Sequence, residues 1–253
     1  MMHLWAEALA QPGLWLLGFA AILAGLVRGF SGFGTAMVFM PFAAQILPPV
    51  WVLVVMMVME LFGPIPAIPR ALRDGMPSEL IRLGAGAIIG IPFGLMLLLA
   101  MEPTVFRYVI TAITCLVLAL LISGVRYHGV VRKPMLYGIG GVAGLLSGSV
   151  GLGGPPIIML YMMRPLPAQV IRANALLFLV LIDVLALGIF GAQGLLVATP
   201  IIIGLILTPV YLVAVWIGSL IFDPSRETVY RWVAYGIIAA SVLRGLPIWD
   251  EPI

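Results

Sequence analysis

The chain has 253 residues, of which 63% are hydrophobic and 9% charged, with a formal net charge of +3 and a mean hydropathy of +1.20. That composition excludes a soluble globular domain and places the chain among polytopic membrane proteins. A single cysteine, Cys115, and two histidines exclude an internal disulfide and the usual thiolate or imidazole metal sets, so neither a metal nor another cofactor is expected.

Backbone polar groups at membrane depth must be satisfied internally, and these apolar runs are too continuous for barrel strands, so an all-α polytopic fold follows. The stretch Met1–Gln11 has no basic region ahead of the first apolar run and is not read as a cleaved signal peptide. Five apolar segments follow in the first half, at 13–29, 34–47, 50–69, 80–101 and 105–125. Five more follow in the second, at 135–147, 154–163, 173–191, 197–221 and 229–247. The segments 34–47, 135–147 and 154–163 fall short of the roughly 20 residues that cross the hydrocarbon.

A glycine-rich stretch breaks the apolar pattern once in each half. Ala24, Gly25, Leu26, Gly29, Gly32 and Gly34 meet Ala143, Gly144, Leu145, Gly148, Gly151 and Gly153 at one fixed offset. A second match pairs Thr104-Val105-Phe106-Arg107-Tyr108-Val109 with Thr228-Val229-Tyr230-Arg231-Trp232-Val233. The chain therefore reads as two repeats, 1–127 and 128–253, of about five apolar segments each. The first two segments of each repeat are short and interrupted at the glycine motif. Short, glycine-broken segments in matching places of two halves are the sequence pointer to a transporter's binding site.

Orientation follows from the basic residues. Loops with Arg70, Arg73 and Arg82, with Arg126, Arg132 and Lys133, with Arg164 and Arg172, and with Arg226 and Arg231 carry most of the positive charge. All four face the cytoplasm together only if each short pair returns to the side from which it entered. Each half then makes an odd number of crossings, so the repeats are inverted and both termini lie outside, which suits the acidic Asp250-Glu251 tail. The basic balance is this loop bias; no Lys/Arg run supports nucleic-acid binding.

The paired Gly-x-x-x-Gly-x-x-Gly-x-Gly motif, running into an apolar stretch with proline, resembles the sulfite exporter TauE/SafE family, also called the toluene sulfonate uptake permease family. The residues are Gly25, Gly29, Gly32, Gly34 and Pro41, then Gly144, Gly148, Gly151, Gly153, Gly154 and Pro155. Length, duplicated layout and the aromatic-Arg start of each last helix extend the resemblance over almost the whole chain. Arg28 and Thr35 depart from the family's plainer Gly-Gly-Gly form and resemble a subgroup with an Arg-Gly-x-x-Gly-Phe-Gly pattern. The resemblance implies a secondary transporter of the cell inner membrane. It would move sulfite or organosulfonates such as sulfoacetate, isethionate or taurine, mainly outward, by alternating access. A passive anion channel and a carrier of other small carboxylates are the alternatives.

Candidate site residues follow from the chemistry of an anion. Arg28 lies at the first glycine break, where an intramembrane guanidinium fits an oxyanion's oxygen pair; the competing reading is an ion pair with Glu60 or Asp183, or snorkelling. Gly32 and Gly34, with Gly151, Gly153 and Gly154, allow sharp turns that present backbone N–H groups, and half-helices opening at Thr35 or Pro155 aim their positive ends at the break. Ser31, Thr35, Ser147 and Ser149 add hydroxyls. Glu60 and Asp183, read as lying near the middle of matching helices, are candidate proton carriers or else neutralise Arg28.

Other residues read as structural. Gly25 and Gly144, and the ridge Gly86, Gly90 and Gly94, suit close helix packing. Arg107 and Arg231 look like interfacial anchors, Pro64, Pro66 and Pro69 like a helix stop, and Asn174 like a helix cap; His3 and His128 are expected in solvent. No phosphate-binding loop and no His-Glu-x-x-His occurs, so an enzyme is not expected. The expected partners are a small anionic substrate and the lipid bilayer, with a homo-oligomer allowed.

Overall fold

The computed structural model describes residues 2–123, 132–162, 164–223 and 227–246. Arg126, His128, Arg226 and the Asp250-Glu251 tail, which enter the orientation and solvation readings above, lie outside the described residues. Among the described residues the fold is all helical. In chain order the helices are α1 (Met2–Leu9), α2 (Leu14–Ser31), α3 (Thr35–Ala43), α4 (Pro49–Leu61), α5 (Ile68–Asp74), α6 (Pro77–Ala100) and α7 (Pro103–Ser123). After them come α8 (Lys133–Val150), α9 (Gly154–Met162), α10 (Ala168–Ala192), α11 (Ala198–Ile221) and α12 (Glu227–Gly245).

Among the described residues, five helices are long and apolar enough to cross a membrane: α2, α6, α7, α10 from Gln169, and α11. A sixth crossing results if α4 and the bent segment after it count as one span. The chain is thus a multi-pass membrane protein. The half-helices α3 and α9 have nine residues each, about 13 Å, less than half of the hydrocarbon thickness. Helix α1 was no part of the expected pattern, and α8 runs past the expected 135–147 at both ends. The stop after Leu61 is as expected: a 3-10 turn at Ile65–Ala67 follows Pro64, and Pro69 sits in the first turn of α5.

The described chain forms two compact units. Unit 1 gathers Met1–Met59, Met101–Ser123 and Val197–Ile253; unit 2 gathers Glu60–Ala100 and Gly124–Leu196. Each unit therefore draws elements from both sequence halves. Unit 1 is built around α2 lying on α11. A methyl added at Gly25 would come within 2.7 Å of the Tyr211 carbonyl, and one at Gly29 would collide with the Val215 carbonyl.

Unit 2 is built around α8 lying on α6 in the same manner. A methyl at Gly144 would meet the Ala87 carbonyl at 2.6 Å, and one at Gly148 would collide with the Ile91 carbonyl. From the other side, Gly86, Gly90 and Gly94 press against the carbonyls of Tyr137, Gly141 and Leu145. Lipid removes most of the hydrophobic drive between helices, so close backbone approach through small residues supplies the packing. The two contacts share one register: Tyr211 and Val215 stand to Ala87 and Ile91 as Thr228–Val233 stands to Thr104–Val109. The motif glycines at matching positions thus make matching contacts.

Candidate functional site

In unit 1 the first break separates α2 from α3. Helix α2 ends at Ser31, and Gly32 closes it at φ 78°, donating its N–H to the Arg28 carbonyl at 2.9 Å. Gly34 precedes α3 at φ 98°, a conformation that L side chains avoid. The Ser31 hydroxyl is spent on the turn itself. It lies 2.6 Å from the Val27 carbonyl and 2.7 Å from that of Phe33, and accepts the Phe33 N–H at 3.3 Å. Ser31 therefore staples the break, and its one proton is already claimed by backbone.

Helix α3 opens at Thr35, as the sequence suggests. No side chain caps it, and its internal ladder starts with the Val38 N–H to the Gly34 carbonyl at 3.1 Å. The amides of Thr35, Ala36 and Met37 precede that bond and form the positive end of the half-helix. Thr35 is buried, and its Oγ1 lies 3.1 Å from the hydroxyl of Tyr211 on α11. Tyr211 thus borders the candidate site, a neighbour that sequence reasoning does not reach. Arg28, half-buried, sits one turn before the end of α2 and already holds an interaction with other protein groups.

In unit 2 the second break separates α8 from α9 at the same motif positions. Gly151, at φ 70°, donates to the Ser147 carbonyl at 3.1 Å, and the Leu152 N–H reaches the Leu146 carbonyl at 3.2 Å. Gly153 is required for space: a methyl there would lie 2.9 Å from Ile182 Cδ1 and 3.0 Å from Ser147 Cβ. Helix α9 begins at Gly154, one residue before the expected Pro155. Pro155 and Pro156 remove two donors from its first turn, so this end offers fewer N–H groups than α3. Ser149 is buried and donates to the Leu145 carbonyl at 2.7 Å, which also commits its proton.

One of the two acids is placed as expected and the other is not. Asp183 lies well inside α10, but Glu60 is one residue from the end of α4, because Gly63 and Pro64 stop that helix. Both are half-buried and both hold interactions of their own. Asn174 does not cap its own helix, which starts at Ala168. It accepts the Met76 N–H at 2.7 Å and so caps the entry to α6. Arg107 is half-buried, with its Nε and Nη2 shielded inside unit 1, whereas Arg231 is exposed.

Unit 2 holds a charged cluster that the sequence does not announce. Arg164, just past α9, grips Glu79 in the first turn of α6 with two bonds, Nη1 to Oε2 at 2.7 Å and Nη2 to Oε1 at 3.0 Å. The Tyr161 hydroxyl donates to the same Oε2 at 3.3 Å, and its ring lies 5.9 Å from the guanidinium carbon. Read singly, Glu79 is a first-turn acid and Arg164 a loop charge; neither carries a local signal of the pairing.

A family model described as sulfite exporter TauE/SafE matches residues 17–245 of the chain. Neither the curated proteins nor the solved structures contain a match. The chain belongs to the sulfite exporter TauE/SafE family, a family of membrane transporters.

Proposed function

We propose that this TauE/SafE member is a secondary transporter that moves a small sulfur-containing anion, sulfite or an organosulfonate such as sulfoacetate, isethionate or taurine, outward across the inner membrane by alternating access. The observation that carries the reading is the end of α3. There a half-helix opens at a glycine break with three leading amides, a buried Thr35–Tyr211 hydroxyl pair, and Arg28 in the preceding turn. Helix N-termini and guanidinium groups both favour oxyanions, and donors fixed by the fold need little reorganisation to bind one. Gly32 and Gly34 let the backbone approach the anion without a side chain in the way. Gly151, Gly153 and Gly154 shape the corresponding break in unit 2, where α9, with Pro155 and Pro156 in its first turn, is the weaker donor end.

Inverted repeats, an outside position for both termini, and proton carriage by Glu60 or Asp183 belong to the same proposal. The supporting facts are the motif's recurrence and the half-buried placement of both acids. Ser31 acts in it by holding the first break in shape through its bonds to Phe33, while the Ser149 proton goes to the Leu145 carbonyl within α8.

The test is ligand-dependent thermal stability of the detergent-purified protein against sulfite, sulfonates, carboxylates and phosphate, alongside Arg28→Gln. A ligand at a hundredfold its Kd stabilises the native state by about 2.7 kcal/mol. The reading expects a shift with sulfite or a sulfonate in the wild type that is lost or much reduced in Arg28→Gln. Stabilisation only by carboxylates or phosphate, or a shift that survives in Arg28→Gln, overturns the substrate or the site.

A further inference from the structure

A serine or threonine hydroxyl in a helix has a default partner, the carbonyl one turn earlier. Ser31, Ser149, Thr208 and Ser241 all take it, bonding Val27, Leu145, Gly204 and Ile237 at 2.6 to 2.8 Å. Thr111 and Thr114 on α7 do not. Their Oγ1 atoms are buried and have no hydrogen-bond partner among the described residues, with the side chains 7% and 0% exposed. Within unit 1, α7 packs against α12 and α3, so both hydroxyls sit on the inward side of the helix. A buried hydroxyl that forgoes the backbone carbonyl and finds no other protein group requires some other partner.

The spacing identifies that partner. Residues three apart on a helix have their Cβ atoms about 5 to 6 Å apart. A water bonded to both hydroxyls at its roughly tetrahedral angle joins oxygens about 4.5 Å apart, a span that two hydroxyls on so spaced side chains can bracket. We propose that unit 1 holds a buried water bridging Thr111 and Thr114. Each hydroxyl both donates and accepts, which matches the two donors and two acceptor sites of water. A desolvated anion would need a compensating charge that this neutral pair does not itself supply. The bridge puts a hydrated point inside unit 1. It does not depend on the anion site proposed above.

The test is the melting temperature of the full-length purified protein carrying Thr111→Val, Thr114→Val or both, with the serine variants as controls. Valine keeps the shape and removes the hydroxyl. A shared water predicts that each valine lowers Tm and that the double variant falls no further than the worse single one, because the same water is lost each time. Either valine raising Tm means dry hydroxyls and overturns the proposal, as do losses that add in the double variant. A Tm rise with sulfite or a sulfonate that disappears in Thr111→Val makes the occupant an anion and also overturns it. Should a valine variant not fold, an experimental density map that resolves ordered water decides. Density between the two Oγ1 atoms supports the bridge, and its absence refutes it.

Discussion

The Thr35 hydroxyl lies 3.1 Å from the Tyr211 hydroxyl, both side chains buried, so the first residue of the half-helix α3 is tied to the middle of α11. The same Tyr211 offers its backbone carbonyl to the surface on which Gly25 of α2 rests. One residue of α11 therefore meets both the helix that ends at the break and the half-helix that begins after it. The position of the N-terminal end of α3 is set by this pair together with the two left-handed glycines.

Tyr211→Phe and Thr35→Val each remove one hydroxyl of the pair, and a typical buried hydrogen bond contributes about 1 kcal/mol net. Their double-mutant cycle should show a coupling of about 0.5 to 1.5 kcal/mol. Thermal unfolding of the four proteins measures it, and an additive cycle would show that the two hydroxyls do not interact.

Gly32 and Gly34 should respond differently to alanine although both have positive φ. At Gly32 a methyl meets nothing within 4 Å, so alanine costs only the left-handed backbone, about 1 to 2 kcal/mol, and asparagine less. At Gly34, φ is 98° and a methyl would lie 3.1 Å from Val27 Cγ1, adding a contact cost to the strain. The expected order of melting temperature is wild type, Gly32→Asn, Gly32→Ala, Gly34→Ala. If Gly34→Ala equals Gly32→Ala, the crowding against Val27 is relieved without cost.

The breaks are legible in the sequence because left-handed backbone and close helix approach both select glycine, and each copy of the motif combines the two needs. Gly25 and Gly29 serve packing while Gly32 and Gly34 serve the turn, and the spacing alone separates them. The pairs Thr35–Tyr211 and Glu79–Arg164 are not legible in the same way. Each joins residues from different sequence halves, and their contact depends on α2 packing on α11 and on α9 returning to α6. Tyr211 stands in an unbroken apolar run, where a tyrosine reads as ordinary membrane-helix content. Arg107 carries a signal that was available, since Arg107, Thr111 and Thr114 repeat at the spacing of one helical face. Its aromatic neighbours argue for an interfacial anchor, and the burial of its Nε and Nη2 shows only once α7 is packed.

The ridge on α6 should tolerate nothing larger than glycine at its centre. A methyl at Gly90 collides with the backbone carbonyl of Gly141, and backbone cannot step aside as a side-chain end does. Gly90→Ala should therefore separate α6 from α8 and lower Tm sharply. Gly138→Ala, where a methyl meets nothing within 4 Å, is the control and should leave Tm within a few degrees of wild type. Equal melting temperatures for the two variants would mean that α6 and α8 are farther apart in the membrane than described here.

Glu79 and Arg164 should behave as a buried ion pair, because their side chains are only 10% and 19% exposed and the contact is bidentate. Removing one partner leaves the other charge uncompensated, which typically costs about 3 to 5 kcal/mol. Removing both leaves no such charge. Glu79→Ala and Arg164→Ala should each lower Tm strongly, whereas Glu79→Leu combined with Arg164→Met should recover most of the loss. Arg164→Lys should fall between, since an ammonium cannot reproduce the planar fork or its approach to the Tyr161 ring. Should the double variant melt as low as the single ones, the cluster contributes through Tyr161 and packing, and the ion pair is not its main term.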